Sequence, residues 1–175
     1  YWAKHPLVNN NRATPKTVTK KQHKPVNTSL LRIRQPKSAI DLAVIGVSTG
    51  GPKTVLELLK QLGRISFPIV IAQHMPKEFT AGFAEHLAWE TGLKVVEGYH
   101  GMPLQTQQVV IAPGGTDSQI CQPFSGHYAL DVKKIDNTKN ALHPSADLLF
   151  RSAARVSKSP VAIILTGMGD DGSQG

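Results

Sequence analysis

Short runs of consecutive apolar residues recur along the chain, and segments with helical spacing separate most of them. The runs are Leu42–Ile45, Ile69–Ala72, Val95-Val96, Val109–Ala112 and Val161–Leu165. An unbroken apolar run of this length is typical of a parallel strand that is buried on both faces. Parallel neighbours require crossover connections, which helices usually supply. The sequence therefore predicts an α/β domain with three layers, α/β/α, and a doubly wound, mostly parallel sheet.

Three of the connecting segments have the apolar spacing of helices: Pro52–Leu62, Phe79–Leu87 and Pro144–Ala154. Pro52 suits the first turn of a helix, where its missing N–H would have no partner anyway. Gly63 suits the position just after a helix ends. Between residues 120 and 132 the pattern changes to short alternating stretches around Ser125-Gly126, which predicts an antiparallel hairpin inserted into the domain.

The positive charge of the chain lies at its N-terminal end. The 175 residues carry a net charge of +8, and nine of the 20 Lys and Arg residues fall within residues 1–40, which contain no Asp or Glu. This segment also has four prolines and no apolar period. We expect residues 1–40 to be a basic, Pro-rich flexible linker, and contact with an acidic partner is the alternative. Its few aromatic residues argue against a nucleic-acid partner.

Several protein classes are excluded by what the sequence lacks. Cys121 is the single cysteine, so an intrachain disulfide or a multi-cysteine metal site is impossible. No apolar run approaches the roughly 18 residues of a membrane-spanning helix, and the N-terminus has no signal-peptide core. The chain begins at Tyr1 rather than Met and stops at Gly175 just after a glycine-rich turn. We therefore expect a fragment that is cut at both ends, with its folded domain truncated at the C-terminus.

The turn Gly46–Gly51 follows the first predicted strand and has the pattern G-x-S-x-G around Ser48. Glycines on both sides of the serine permit a sharp turn that exposes its hydroxyl, and the next helix supplies backbone N–H groups for an oxyanion. A phosphate cradle is the alternative, since Lys53 and Thr54 follow. However, Pro52 interrupts the adjacency that a P-loop requires.

Further polar residues follow other predicted strands. His74 comes directly after the second apolar run, and Asp170 and Asp171 lie in the glycine-rich turn after the last one. Strand ends of a parallel sheet meet at one edge, so these residues and Ser48 could form an acyl-transfer triad. Their order, Ser…His…Asp, differs from that of α/β-hydrolases. Four other histidines remain open as the base: His86, which lies in a helical pattern, His127, which lies in the hairpin turn, and His100 and His143, which lie in loops.

Together these motifs resemble the catalytic domain of the CheB family of chemotaxis protein-glutamate methylesterases. The matching stretches are Ile45–Gly51, Gln73–Pro76 with Phe79-Thr80, Ala112–Gly115, Pro144-Ser145 with Leu149–Ala154, and Leu165–Gly172. They occur in family order across about residues 41–175, which would be the catalytic domain. The resemblance implies hydrolysis of glutamyl γ-methyl esters on chemotaxis receptors, with deamidation of receptor glutamines as a second activity. A phosphate- or nucleotide-binding module is the alternative function.

The resemblance also implies roles for individual residues. Ser48 would be the nucleophile, His74 the base and Asp171 the orienting acid. Three further residues would line the site and bind substrate or the oxyanion: Thr49, Gly50 and Met168. No cofactor or metal is implied. The partners would be methyl-accepting chemotaxis receptors and a receiver domain upstream of residue 1, in the cytoplasm and without membrane insertion.

Two departures from the family pattern bear on the site. Asp170 stands where the family commonly has Asn, so two neighbouring acids compete for the orienting role, and Asp171 occupies the family's position. Thr116-Asp117 stands where a histidine is frequent, which would alter the rim of the site.

Overall fold

The computed structural model describes residues 39–124, 126–135 and 142–175. Nearly all of the predicted linker, residues 1–40, therefore lies outside the described residues, as does Ser125 of the predicted hairpin turn. Within the described ranges, every helix is too short or too polar to cross a membrane.

The described residues form strands and helices that alternate along most of the chain. The strands are β1 (Leu42–Val47), β2 (Ile69–Gln73), β3 (Lys94–Glu97), β4 (Met102–Pro103), β5 (Gln108–Ile111), β6 (Thr116–Phe124), β7 (His127–Lys134) and β8 (Pro160–Ile164), and the helices are α1 (Gly51–Leu62), α2 (Lys77–Thr91) and α3 (Ala146–Val156). All five predicted apolar runs are strands, and the three predicted helices form. The α/β prediction is therefore confirmed.

Five parallel strands make the central sheet, in the order β3-β5-β2-β1-β8. Helices α1 and α2 cover one face, where Val55 and Leu87 are fully buried. Helix α3 covers the other face, where Leu149 is fully buried against Val44 and Val70. The doubly wound, three-layer arrangement follows, because strands that are apolar on both faces need cover on both sides.

The predicted hairpin is larger than its sequence pattern indicated. Strands β6 and β7 pair from Thr116 to Phe124, and the two-residue strand β4 adds a third, antiparallel member beside β7. This sheet shares its outer layer with α3. His127, which we expected in the turn, instead opens β7 opposite Phe124, because Gly126, with a φ of 81°, makes the turn tight.

The strand order decides where polar strand ends meet. Strand β1 lies between β2 and β8, with Val47 opposite Gln73 and Gly46 opposite Ile164. The residues that follow these three strands therefore converge at the carboxyl edge of the sheet, where α/β folds bind their ligands. Gly46 also lets α3 approach β1, because a Cβ on it would lie 2.7 Å from the Cβ of Ala146.

We expect Ser152→Ala to destabilise the domain by about 1–3 kcal/mol, because it leaves a buried amide without its acceptor. The Ser152 hydroxyl accepts from the amide of Ile120 at 2.8 Å and donates to the carbonyl of Leu149 at 2.7 Å, which joins α3 to β6. Urea unfolding measures the loss, with the exposed Ser66→Ala as the control. Equal midpoints for the two variants would contradict this account of the outer layer.

Candidate active site

Ser48 follows the last residue of β1, and α1 begins three residues later. The turn is closed by the Gly51 amide, which donates to the Ser48 carbonyl at 2.9 Å, and Gly50 has a φ of 76°. That left-handed conformation favours glycine. The Ser48 amide donates to the carbonyl of Thr166 at 2.9 Å. These contacts hold Ser48 at the carboxyl edge of the sheet, beside the segment that follows β8.

His74 follows β2, and its amide donates to the carbonyl of Val47 at 3.0 Å. Its Nε2 lies 2.8 Å from Oδ2 of Asp171, although 97 residues separate the two in sequence. The two side chains are only 9% and 22% exposed. Asp170, in contrast, is fully on the outside of the turn. The structure therefore pairs His74 with the second of the two neighbouring acids.

Asp171 also caps the N-terminus of α3. Its carboxylate accepts from the amide of Ala146 at 2.7 Å, from the amide of Asp147 at 3.0 Å and from the hydroxyl of Ser145 at 3.0 Å. Burial by itself would raise the pKa of Asp171. The amides of Asp147 and Ala146, followed by the side chains of His74 and Ser145, outweigh burial and hold the pKa below the ordinary 3.8. Asp171 is therefore an ionised acceptor at neutral pH.

The two ring nitrogens of His74 have different surroundings. An ionised carboxylate can only accept hydrogen bonds, so the proton of the neutral ring lies on Nε2 and the lone pair lies on Nδ1. Nδ1 is buried and has no hydrogen-bond partner among the described residues. His74 lines the same cavities as Ser48. The site thus combines a hydroxyl with an oriented imidazole whose basic nitrogen is unused, which is the arrangement that nucleophilic acyl transfer requires.

The three residues expected to bind substrate or the oxyanion, Thr49, Gly50 and Met168, each line a cavity that Ser48 also lines. Thr49 and Gly50 line a cavity together with Ser48. The Thr49 carbonyl accepts from the hydroxyl of Thr166 at 3.0 Å, which ties the turn to the segment after β8. Met168 is 75% exposed and lines a second cavity with Ser48.

The first of these cavities is a groove of about 600 Å³ that runs from Ser48 along α2. We call it the α2 groove. Its lining is mostly apolar and consists of Ser48, Thr49, Gly50, Pro52, Gln73, His74, Met75, Pro76, Glu78, Phe79, Gly82 and Phe83. Phe79 is 62% exposed although it is a large aromatic residue. No local sequence pattern predicted this groove, because residues of two separate segments, 48–52 and 73–83, form it.

Of the four alternative histidines, only His143 lies at the site. His86 and His127 are exposed on α2 and β7, and His100 is a largely exposed partner of Asp131. His143 lines the second cavity, of about 550 Å³, together with Ser48 and His74. These positions leave His74 and His143 at the site, and the side chain of His74 is the more buried of the two, at 9% against 16% exposed.

The structure gives His143 a partner that sequence reasoning missed. Its Nδ1 lies 2.8 Å from Oδ1 of Asp117, which also accepts from the amide of Ser145 at 2.9 Å. Asp117 had been noted only as a replacement for a histidine. Ser145 contacts Asp117 through its amide and Asp171 through its hydroxyl, so it links the two His–Asp pairs. Across residues 39–124, 126–135 and 142–175, no three His, Cys, Asp or Glu side chains cluster as metal ligands.

Comparison with known proteins agrees with this geometry. Residues 43–175 match the family model described as CheB methylesterase. The chain is 40% identical over 171 residues to a protein-glutamate methylesterase/protein-glutamine glutaminase of Photobacterium profundum, which covers 97% of this chain and 47% of that protein. It is 37% identical over 142 residues to the protein of the same name from Desulfitobacterium hafniense, covering 80% and 36% respectively. The chain thus spans less than half the length of these relatives.

A solved structure also matches. The crystal structure of the Thermotoga maritima CheB methylesterase catalytic domain superposes with a TM-score of 0.71 at 34% identity, covering 78% of this chain and 72% of that one. The resemblance inferred from the motifs is therefore confirmed. With a family model that covers most of the residues and a solved relative of the same fold, the chain belongs to the CheB methylesterase family.

Proposed function

We propose that this domain is a serine hydrolase that removes methyl groups from glutamyl γ-methyl esters of chemotaxis receptors and also deamidates receptor glutamines. The observation that supports it most directly is the buried His74–Asp171 pair, because His74 lines the same cavities as Ser48 and its Nδ1 has no hydrogen-bond partner among the described residues. The printed names of the relatives include both activities.

In the proposed reaction, the Ser48 hydroxyl attacks the γ-carbonyl while Nδ1 of His74 takes its proton. Amides of the turn at Thr49 and Gly50, at the N-terminus of α1, stabilise the oxyanion. The imidazolium then gives the proton to the leaving methoxide, and methanol departs, or ammonia in the case of glutamine. Water hydrolyses the acyl-enzyme by the same two proton transfers, which leaves a glutamate and restores Ser48.

Asp171 supports this cycle in two ways. Its hydrogen bond to Nε2 keeps the basic lone pair on Nδ1. Its low pKa keeps it ionised, so that a negative charge lies next to the imidazolium that forms during attack. The helix amides that lower the pKa therefore contribute to catalysis through the acid.

The α2 groove supports a macromolecular substrate. A single esterified side chain would occupy only the end of a groove of about 600 Å³, and the exposed Phe79 offers apolar surface beyond the reacting atoms. Gly82 lies in the interior of α2, where alanine would favour the helix by about 1 kcal/mol. A Cβ on Gly82 would meet nothing within 4 Å. The bare backbone at Gly82 thus leaves room for a protein segment of the substrate to approach α2.

The larger setting follows from the family and remains a set of predictions. We expect methyl-accepting receptors as partners and a cytoplasmic location. We also expect a receiver domain upstream, with residues 1–40 as the linker that joins it to this domain. The phosphate-binding alternative is not favoured, because the Thr54 hydroxyl donates to the Gly50 carbonyl at 3.1 Å instead of facing a ligand.

We expect Ser48→Ala to lower methanol release from a methylated receptor by about 10⁴-fold or more, since it removes the nucleophile. It should also abolish covalent labelling by a fluorophosphonate. Circular dichroism checks the fold, and Ser66→Ala, an exposed serine far from the site, serves as the matched control. Activity of Ser48→Ala within tenfold of the parent would refute the proposal.

Asp171→Asn and Asp170→Asn should separate the two neighbouring acids. We expect Asp171→Asn to lower kcat by about 10⁴-fold, because an amide cannot hold the tautomer of His74 and stabilise its cation equally well. Asp170→Asn, which changes only an exposed side chain, should keep activity within about twofold. The assay is again methanol release, and the reverse ranking would place the acid at residue 170.

The low pKa of Asp171 also predicts a pH dependence of stability. A carboxyl group whose pKa is lowered by folding stabilises the folded state above its unfolded pKa, and the contribution disappears as pH falls through the folded value. We therefore expect the stability gap between the parent and Asp171→Asn to be larger at about pH 7 than at about pH 3. Urea titrations at both pH values measure it, with Asp170→Asn as the control. If the difference in free energy of unfolding between the parent and Asp171→Asn were as large at about pH 3 as at about pH 7, the hydrogen bonds assigned to Asp171 would be wrong.

Gly82→Leu tests the α2 groove. We expect the fluorophosphonate labelling rate to stay within about threefold, while kcat/KM for a methylated receptor falls at least about tenfold, or about 1.4 kcal/mol. Ala81→Leu is the matched control, because Ala81 is an exposed neighbour on α2 that does not line the groove. Equal effects of the two variants on the receptor reaction would show that the substrate does not approach α2 at Gly82.

A further inference from the structure

Gln73, the last residue of β2, lies between the two segments that carry Ser48 and His74. It is only 2% exposed. Its side-chain Nε2 donates to the backbone carbonyls of both Ser48 and His74, each at 3.1 Å. Because both partners are acceptors, only the amide nitrogen can make these bonds, which decides the orientation of the side chain.

These bonds join the two segments beyond the last backbone hydrogen bond between β1 and β2. The β1–β2 ladder ends at the pair Val47 and Gln73, and the amide of His74 makes the last backbone bond across, to the Val47 carbonyl. Ser48 lies beyond that point, and among the described residues no backbone hydrogen bond joins its turn to β2. The Gln73 side chain therefore provides a direct link between the Ser48 turn and the His74 backbone.

The surroundings of Gln73 are shaped to hold it. A Cβ on Gly51 would lie 2.0 Å from Oε1 of Gln73 and 2.7 Å from Cγ2 of Val47. Gly51 does not need glycine for its φ, which is not in the left-handed region, so its requirement is the close approach of this side chain. The first residue of α1 thus packs directly against Gln73.

Stability alone does not explain a glutamine here. Oε1 is buried and has no partner among the described residues, and an unsatisfied buried acceptor is destabilising. An apolar residue of the same size would avoid that cost, although it would leave the carbonyls of Ser48 and His74 without this donor. What such a residue could not do is hold the two carbonyls together.

We propose that Gln73 is a positioning residue, which sets the separation between the Ser48 hydroxyl and the His74 ring by clamping both backbones. The inference rests on the proposed function, since the separation matters only if His74 takes the proton of Ser48. A displacement of about 1 Å between reacting groups can cost about 10²-fold in rate.

Gln73→Met keeps the volume and removes the two donors. We expect kcat for methanol release to fall about 10- to 100-fold, with a much smaller change in KM, because Gln73 borders the α2 groove but is only 2% exposed. The matched control is Gln108→Met. Gln108 is also 2% exposed and hydrogen-bonded to a backbone group, the amide of Gln105 at 3.0 Å, but it begins β5 at the opposite edge of the sheet. The Gln108→Met variant should lower Tm by about as much as Gln73→Met does, and it should leave kcat within about twofold of the parent.

Gly51→Ala tests the same hydrogen bonds by crowding the Gln73 side chain instead of replacing it. We expect a comparable loss of kcat, since the new Cβ displaces the Gln73 side chain, and a smaller further loss when the same change is made in a Gln73→Ala background. Additive losses in this cycle, or a Gln73→Met variant with unchanged kcat, would overturn the inference. So would a Gln73→Met variant that fails to fold while Gln108→Met folds, since Gln73 would then be a folding residue. A parent protein that releases no methanol and takes no fluorophosphonate would instead overturn the proposed function.

Discussion

The carboxylate of Asp171 holds two parts of the molecule in place at once. One oxygen faces Nε2 of His74, and both oxygens accept hydrogen bonds from the start of α3. The helix amides keep the carboxylate charged, and the charge in turn selects the tautomer of the histidine. The acid therefore does not need a separate binding pocket, because the end of a structural helix supplies one. The orientation of α3 on the sheet and the orientation of the imidazole are set by the same few bonds.

Most of the fold could be predicted from the sequence because it rests on local apolar patterns. Unbroken runs such as Ile69–Ala72 can be satisfied only by a strand covered on both faces, and the helices between them follow from spacing. Strand β4 was missed, because two residues, Met102 and Pro103, carry no period. Helix α2 begins at Lys77, earlier than expected, because charged residues in a first turn leave no apolar signal.

The site was predictable only to the extent that strand ends meet at one edge. That rule, with the family motifs, identifies Ser48, His74 and Asp171 as neighbours. It cannot say which nitrogen of His74 faces the acid, since both ring orientations have the same sequence. Nor can it find Gln73 and Ser145, whose contributions are contacts between segments that are distant along the chain. Their only sequence signal was their place in the family motifs Gln73–Pro76 and Pro144-Ser145, which assigns them no role.

The separation of these contacts along the chain has a consequence for when the candidate site can form. His74 meets an acid 97 residues later, and the amide of Ser48 bonds to a carbonyl at position 166. Such non-local contacts form late, because the loops that close them carry a large entropic cost. A ribosome-bound chain that has not yet released residue 171 can bury much of β1, β2, α1 and α2, but its histidine has no carboxylate. The Ser48, His74 and Asp171 side chains can therefore come together only after residue 171 has emerged and the segment after β8 has packed against the Ser48 turn.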